Sequence, residues 1–341
     1  MHEIRFCKIE EYDLLISFID NFWKKDHIFT KDKILLDWQH LSKEEDRYNF
    51  VVAYNNKTKE FDAILGFIPS YQYDKALKEN KEIWLAIWKI KESMTSKISG
   101  IQLLFYINSK LKPSSICSVG ITQEVQGIYD AFKYKRDTLD HFYITSTVYE
   151  KNISDIQNKI DCNDEQESYQ IKEISFEKNK DLLQNIILKT DAKFGKSTTY
   201  IHNRFIKHPT YNYIIYGIFH EDILKSFFIA RKIIINEHIV IRIVDYYGEF
   251  IGTNLCTEFQ NILNQESAEY IDFLCYLPNN TVLTQMGFMQ KTENDMIPEY
   301  FEPLVQKNVT IEFAYKSKSE ICIFKADSDQ DRPTQKISEF K

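Results

Sequence analysis

The stretch EVQGIYDAFKY, residues 124–134, and the stretch NNTVLTQMGFM, residues 279–289, share one outline. Each reads as a short helix that ends in an aromatic, Tyr134 in the first and Phe288 in the second. Where the first has Tyr129 the second has Leu283. A segment that returns after half the chain asks whether its surroundings return as well.

Working outward, they do. HEIRFCKIE alternates like a strand, YDLLISFIDNFW and KDKILLDWQHL carry apolar residues at helical spacing, and YNFVVAYN and FDAILGFIPSYQ are short β-rich runs. EIWLAIWKIK is a strand, ISGIQLLFYINSKLK a helix opening at Gly100 and halted before Pro113, SSICSVGI a strand, and HFYITSTVY a last strand after the Tyr129 helix. The second half runs through the same order from YQIKEIS to TVLTQMGF and a final strand. Tyr48-Asn49-Phe50-Val51-Val52 matches Tyr211-Asn212-Tyr213-Ile214-Ile215. The pattern predicts an α/β chain with mixed sheets (α+β) and two tandem domains, 1–150 and 169–326. The polar, acidic stretch 151–168 reads as a linker and 327–341 as a frayed polar tail.

With 43% apolar and 14% aromatic residues, two ordinary domains can each bury a core. A formal charge of −7 argues against a nucleic-acid binder that works through a basic face. Six scattered cysteines, none in a CxxC pair, read as buried thiols of a reducing compartment. The start, MHEIRFCKIEEYDLL, is not a secretory signal, and no apolar run approaches the ~20 residues that span a bilayer, so the expectation is a cytoplasmic protein without a membrane span. FKADSDQDRP lacks the glycine and the distant glutamate of a calcium loop, and no metal is assigned.

The order strand, two helices, three strands, helix, strand, helix, strand resembles the GNAT acyltransferases, the acetyl-CoA-dependent N-acetyltransferases, here as a tandem pair. SMTSKISGIQLL (93–104), IYDAFKY (128–134) and LTQMGF (283–288) carry the resemblance. Thr95 stands where the family has Arg or Gln, Ile98 where it has its first glycine, and Lys133-Tyr134 where it has Gly-Phe.

The resemblance implies acetyl-CoA, or another acyl-CoA, as co-substrate and direct transfer to an amine. The cofactor would lie against Lys89, Ile90, Lys91, Ser96, Lys97, Ile98, Ser99, Gly100 and Ile101, its diphosphate on the backbone N–H groups that open the helix. Tyr129 takes the place of the general acid that protonates the departing thiolate. His40 and Glu82 are candidates for a base, and His27, Asp37 and Trp38 for the acceptor cleft. In the second half Leu283 replaces the tyrosine, while Asp245 and Glu249 flank Gly252 and would repel a diphosphate. Catalysis is therefore expected in the first domain. The DWQH and IFKADSDQDRP stretches resemble tandem proteins of bacterial surface-polysaccharide pathways, which implies a nucleotide-linked amino sugar as the acceptor. Two other readings stand beside it: a decayed, non-catalytic binding protein, and a transferase using aminoacyl-tRNA, for which no basic surface is visible.

Overall fold

The computed structural model describes residues 2–94, 100–157, 162, 169–189 and 195–334. The first half supplies strands β1 (His2–Lys8), β2 (Leu41–Ser42), β3 (Arg47–Asn55), β4 (Glu60–Pro69), β5 (Glu82–Ile90), β6 (Ser115–Val119), β7 (Lys135–Thr138) and β8 (Asp140–Thr145), with helices α1 (Tyr12–Phe18), α2 (Ile28–Lys31), α3 (Lys33–His40), α4 (Gly100–Leu111) and α5 (Gln123–Ala131). The second half supplies β9 (Tyr169–Glu173), β10 (Ile214–His220), β11 (Ile223–Ile235), β12 (His238–Gly248), β13 (Ala268–Tyr276), β14 (Met289–Gln290), β15 (Tyr300–Phe301), β16 (Leu304–Val305), β17 (Glu312–Ser317) and β18 (Ile323–Phe324), with α6 (Phe176–Lys189), α7 (Thr198–Ile201), α8 (Cys256–Glu266) and α9 (Thr281–Gln285).

These elements form two compact units: Met1–Asp137 with Glu312–Lys318 and Ser328–Lys341, and Thr138–Ile311 with Ser319–Asp327. In the first, the sheet runs β1-β3-β4-β5-β6-β17-β7; in the second, β14-β8-β13-β12-β11-β10-β9. Strand alternation explains how each sheet carries helices on both faces. From β3, Val51 and Ala53 pack with Leu103, Leu104 and Ile107 of α4, while Phe50 and Val52 pack with Leu15 of α1 and Leu35 of α3. In the second sheet, Ile271 and Phe273 face Phe259 and Leu263 of α8.

Both halves close their helix in the same way. The Tyr134 N–H donates to the Tyr129 carbonyl and the Phe288 N–H to the Leu283 carbonyl, each at 3.0 Å. Both closures need a left-handed residue, Gly287 (φ 96°) in the second half and Lys133 (φ 59°) in the first. Lys133 thus fills a glycine position at the cost of some backbone strain.

The structure corrects the division of the chain. HFYITSTVY was expected to close the first sheet and the strand after residue 310 the second. Instead β8 pairs antiparallel with β13, and β17 pairs antiparallel with β6. Two strands of similar pattern at equivalent places in two like halves can serve either sheet, and local pattern does not say which. Side chains do distinguish them. His141 on β8 meets buried Asp272 on β13 at 2.8 Å, and Arg242 on β12 grips the same carboxylate at 2.6 Å.

The described part of the expected linker is packed as well. Ile153 and Ile156 are buried with Tyr143, Val240 and Tyr270, and Asp155 bridges to Met296. Nor are residues 327–334 frayed, since Asp327, Ser328 and Asp331 are buried. Cys162 and Cys256, 94 residues apart with Cα atoms 5.4 Å apart, form a disulfide, correcting the expectation of reduced thiols; such pairing follows tertiary proximity, which spacing does not reveal. Cys7, Cys117 and Cys275 are buried and outside any disulfide. No helix among the described residues is long and apolar enough to cross a membrane.

Two predictions follow from this architecture. A fragment ending at residue 150 lacks β17 and leaves β8 without its partner, so it should show no cooperative urea transition by circular dichroism where the whole chain does. Lys133→Gly should raise unfolding stability by about 0.5–1 kcal/mol, because the left-handed conformation no longer carries a Cβ.

Candidate functional site

Strands β5 and β6 are parallel neighbours for only four pairs, from Glu82↔Ser115 to Leu85↔Ser118. Past Leu85 no pairing joins them among the described residues, and the strands part. At the same point β5 loses register with β4: Leu85 lies opposite Phe67 and Trp88 opposite Leu65, with two residues, Ala86 and Ile87, against Gly66. This bulge changes which residues face α4, from Ile83 and Leu85 below it to Trp88 and Ile90 above it. About 16 Å of β5 edge, from Leu85 to Ile90, is thereby left without a strand partner on the β6 side. A long narrow molecule can lie along such an edge and use its N–H and C=O groups.

Tyr129 stands at the closed end of this gap. Its phenol is hydrogen-bonded by Ser118, the residue facing Leu85 in the last shared pair, and its ring meets Trp88 and Tyr134 edge-on with centroids 6.0 and 5.1 Å away. It is 1% exposed, and burial pushes its pKa well above the usual phenol value. Tyr129 is thus a packed residue whose hydroxyl reaches the apex of the gap.

At the open end, Ser96, Lys97, Ile98 and Ser99 lie outside the described residues. Gly100 begins α4, and a Cβ there would come within 2.9 Å of the Trp88 indole. Packing against Trp88 thus leaves no room for a side chain at this position. Ile101 follows it on the helix. Lys89 and Ile90 lie on β5 opposite Ile64 and Ala63. Lys91 departs from expectation: its ammonium sits 2.9 Å from Glu60 and 3.1 Å from Asp62, so its charge is committed to carboxylates. In the cofactor role it would first have to leave them.

The candidate bases and acceptor residues separate into two groups. His27 caps α2 by accepting from the Phe29 N–H and is 1% exposed, and His40 is fully buried with Nδ1 3.2 Å from the Phe67 carbonyl. Burial lowers both, His27 to about 2 and His40 to about 3. They belong to the core, correcting the roles expected of them. Glu82 is buried at the start of β5. Asp37 and Trp38, by contrast, line an open cleft of about 430 Å³ with Tyr71, Gln72, Lys75 and Lys78. Asp37 accepts from the Tyr48 hydroxyl at 2.7 Å, and Gln72 donates to the Trp38 carbonyl. Because Tyr71–Lys78 precede β5, the cleft lies toward the start of that strand, away from Ile90.

The second unit repeats the geometry with a different outcome. Strands β12 and β13 share a parallel ladder to Ile243↔Phe273, and β12 then bulges at Val244 against β11. This gap is occupied by the chain itself. β18 pairs with Cys275 and Tyr276 of β13, and the Ala326 N–H donates to the Val244 carbonyl at 3.0 Å. Leu283, in the tyrosine's place, is wholly buried. Asp245, expected to repel a diphosphate, is held by Lys196 at 2.8 Å and by the Tyr247 hydroxyl at 2.7 Å. The same ammonium reaches Asp327 at 2.8 Å. Sequence reading missed this occupied gap because its occupant comes from the segment taken for a tail.

Among the described residues no cluster of three or more His, Cys, Asp or Glu could hold a metal. No protein-family profile matches the chain, and no curated protein sequence matches it. Its fold is similar to that of a GCN5-related N-acetyltransferase from Anabaena variabilis, with a TM-score of 0.56, 12% identity, and coverage of 93% of this chain and 72% of that one. It is likewise similar to a probable N-acyltransferase of unknown function from Enterococcus faecalis, with a TM-score of 0.54, 8% identity and the same coverage. The chain thus has the GNAT fold, as its sequence pattern implied.

The buried histidines make a prediction about acid. Unfolded histidine takes up a proton near pH 6.5, whereas His27, His40 and His141 stay neutral in the fold down to about 2, 3 and 4. Between pH 6.5 and 4 the unfolded chain binds more protons through these groups, so their contribution to stability falls as pH falls, by up to ~1.4 kcal/mol per pH unit for each. His40→Gln should therefore show a shallower loss of stability than the parent between pH 7 and 5 in urea unfolding.

Proposed function

We propose that the first unit is an acyl-CoA-dependent N-acyltransferase, with acetyl as the acyl group. The observation that carries this reading is the parting of β5 and β6 at a bulge, with a phenol at its apex. Along the open β5 edge a pantetheine arm would replace the missing strand, its amides meeting backbone groups that otherwise have no strand partner. The extra N–H groups at Ala86 and Ile87 then lie where a thioester carbonyl would arrive, and they would hold the oxygen as it gains charge.

The reaction is direct. The acceptor's neutral nitrogen attacks the thioester carbon, a C–N bond forms, the C–S bond breaks, and the sulfur leaves as thiolate while the nitrogen gives up its proton to solvent water. Tyr129 is assigned as the group that protonates that thiolate. Burial raises the phenol's pKa, and the same dry surroundings raise the thiolate's affinity for a proton, so the transfer is between two groups displaced in the same direction. Solvent then returns the proton to the phenolate.

The acceptor in this reading is an amine on a sugar, probed by the cleft that holds Asp37 and Trp38, where an aromatic face and a carboxylate stand together. A nucleotide-linked amino sugar of surface-polysaccharide synthesis fits that chemistry. The second unit is assigned no transfer, since its gap is closed by Ala326 and β18.

Calorimetry tests the reading. Acetyl-CoA should bind at one site per chain, and Tyr129→Phe should lower turnover by about 10²–10⁴ while changing acetyl-CoA affinity less than about threefold. Two sites per chain would overturn the assignment to the first unit, and an unchanged rate in the variant would remove the acid role from Tyr129.

A further inference from the structure

The closed end of the first gap holds a second feature, contributed by the last described residues. Ser328 donates its hydroxyl to the Leu85 carbonyl at 3.1 Å, and the Gln330 amide donates to the Val119 carbonyl at 3.0 Å. Leu85 is the last β5 residue in the shared ladder, and Val119 is the β6 residue just past its partner Ser118. The segment therefore crosses from one strand to the other where they part. Asp329 lies between: its Oδ1 is 3.4 Å from both the Ser328 hydroxyl and the Gln330 amide. Its side chain is 11% exposed, with Arg332 Nε 3.5 Å from the other oxygen. Gln330 is set tightly, since a Cβ on Gly120 would lie 2.8 Å from its amide nitrogen. Beyond, the Arg332 guanidinium rests over the Phe29 ring at 5.2 Å.

The two units use this stretch of chain differently. In the second, backbone pairing fills the gap. In the first, the segment meets the strands through side chains at the apex, and among the described residues the β5 edge above it is not paired to the segment. Such a crossing closes the end of a channel and leaves its length open.

We infer that Ser328, Asp329 and Gln330 form the floor of the acyl pocket and restrict the donor to short acyl groups of the acetyl class. This rests on the acyl-CoA reading above. A cofactor that enters from the open Ile90 end of the gap and lies along β5 brings its acyl carbon to the apex last, so whatever lies at the apex lies ahead of the acyl chain. The floor is a hydroxyl and an amide that already donate to strand carbonyls, with the Asp329 carboxylate between them. An extended apolar chain would have to break those bonds and strand the carbonyls of Leu85 and Val119 without partners. A methyl group needs no such displacement.

The experiment compares three probes on the full-length protein by calorimetry: acetyl-CoA, octanoyl-CoA and 3′-phosphoadenosine 5′-diphosphate, the nucleotide portion alone. Octanoyl-CoA should bind at least tenfold more weakly than acetyl-CoA. In a Ser328→Ala/Gln330→Ala variant the difference should shrink to within about threefold, and the nucleotide should bind parent and variant alike. Equal binding of the two esters to the parent, with the nucleotide also bound, would overturn the floor and leave the cofactor reading standing. Binding of none of the three would remove the cofactor reading and this inference with it. Hydrogen exchange on the unaltered protein does not depend on the variant's folding. Acetyl-CoA should slow exchange of the 328–332 amides relative to the nucleotide alone, and equal exchange with both would also overturn the assignment.

Discussion

The chemistry open to this chain depends on where two parallel strands stop sharing hydrogen bonds. A parallel pair that stays in register is a closed wall; one that parts at a bulge presents a row of N–H and C=O groups, and buried backbone groups of that kind must find partners. The bulge at Ala86–Ile87 sets that row in the first unit, and the bulge at Val244 sets it in the second. Around each, the helices, the Tyr129 or Leu283 position and the turn after it are arranged alike. The two halves therefore differ less in scaffold than in what answers those backbone groups.

In the second unit the answer is internal. Ala326 and β18 meet this edge, and a buried lysine balances Asp245 and Asp327. In the first, the contacts from within, among the described residues, are at the apex. A leucine in the tyrosine's place and a filling segment go together in the second unit: a closed, apolar gap is packed as a core is. The same arrangement of strands is open in one half and sealed in the other.

Much of this was legible in the sequence, and the exceptions have physical causes. Periodicity located the strands and helices, and the Tyr129/Leu283 comparison pointed to the half with the open gap. The exchange of β8 and β17 was not legible, because strand pattern specifies a buried face and not a partner; specific side-chain contacts such as His141–Asp272–Arg242 and Ser115–Ser317 distinguish the choice. The 327–334 stretch read as solvated because its residues are polar. In the fold, that polarity caps strand carbonyls and balances Lys196. His27 and His40 looked like functional histidines, yet neutral imidazoles among aromatic rings serve as core residues, a use that composition does not separate from catalysis.

The exchanged strands also bear on how the chain comes to be made. β6 leaves the ribosome long before β17, its eventual neighbour, with roughly 190 residues still to be translated between them. At ordinary rates of synthesis that interval lasts about 10–40 s, far longer than hairpin formation. During it the edge of β6 is bare, and β8, close by in sequence, is the nearest strand able to cover it. The nascent first sheet thus has a local pairing available that the finished protein does not use. Folding must either avoid that hairpin or undo it when the second half arrives, so the final order of strands depends on a pairing that only late synthesis makes available.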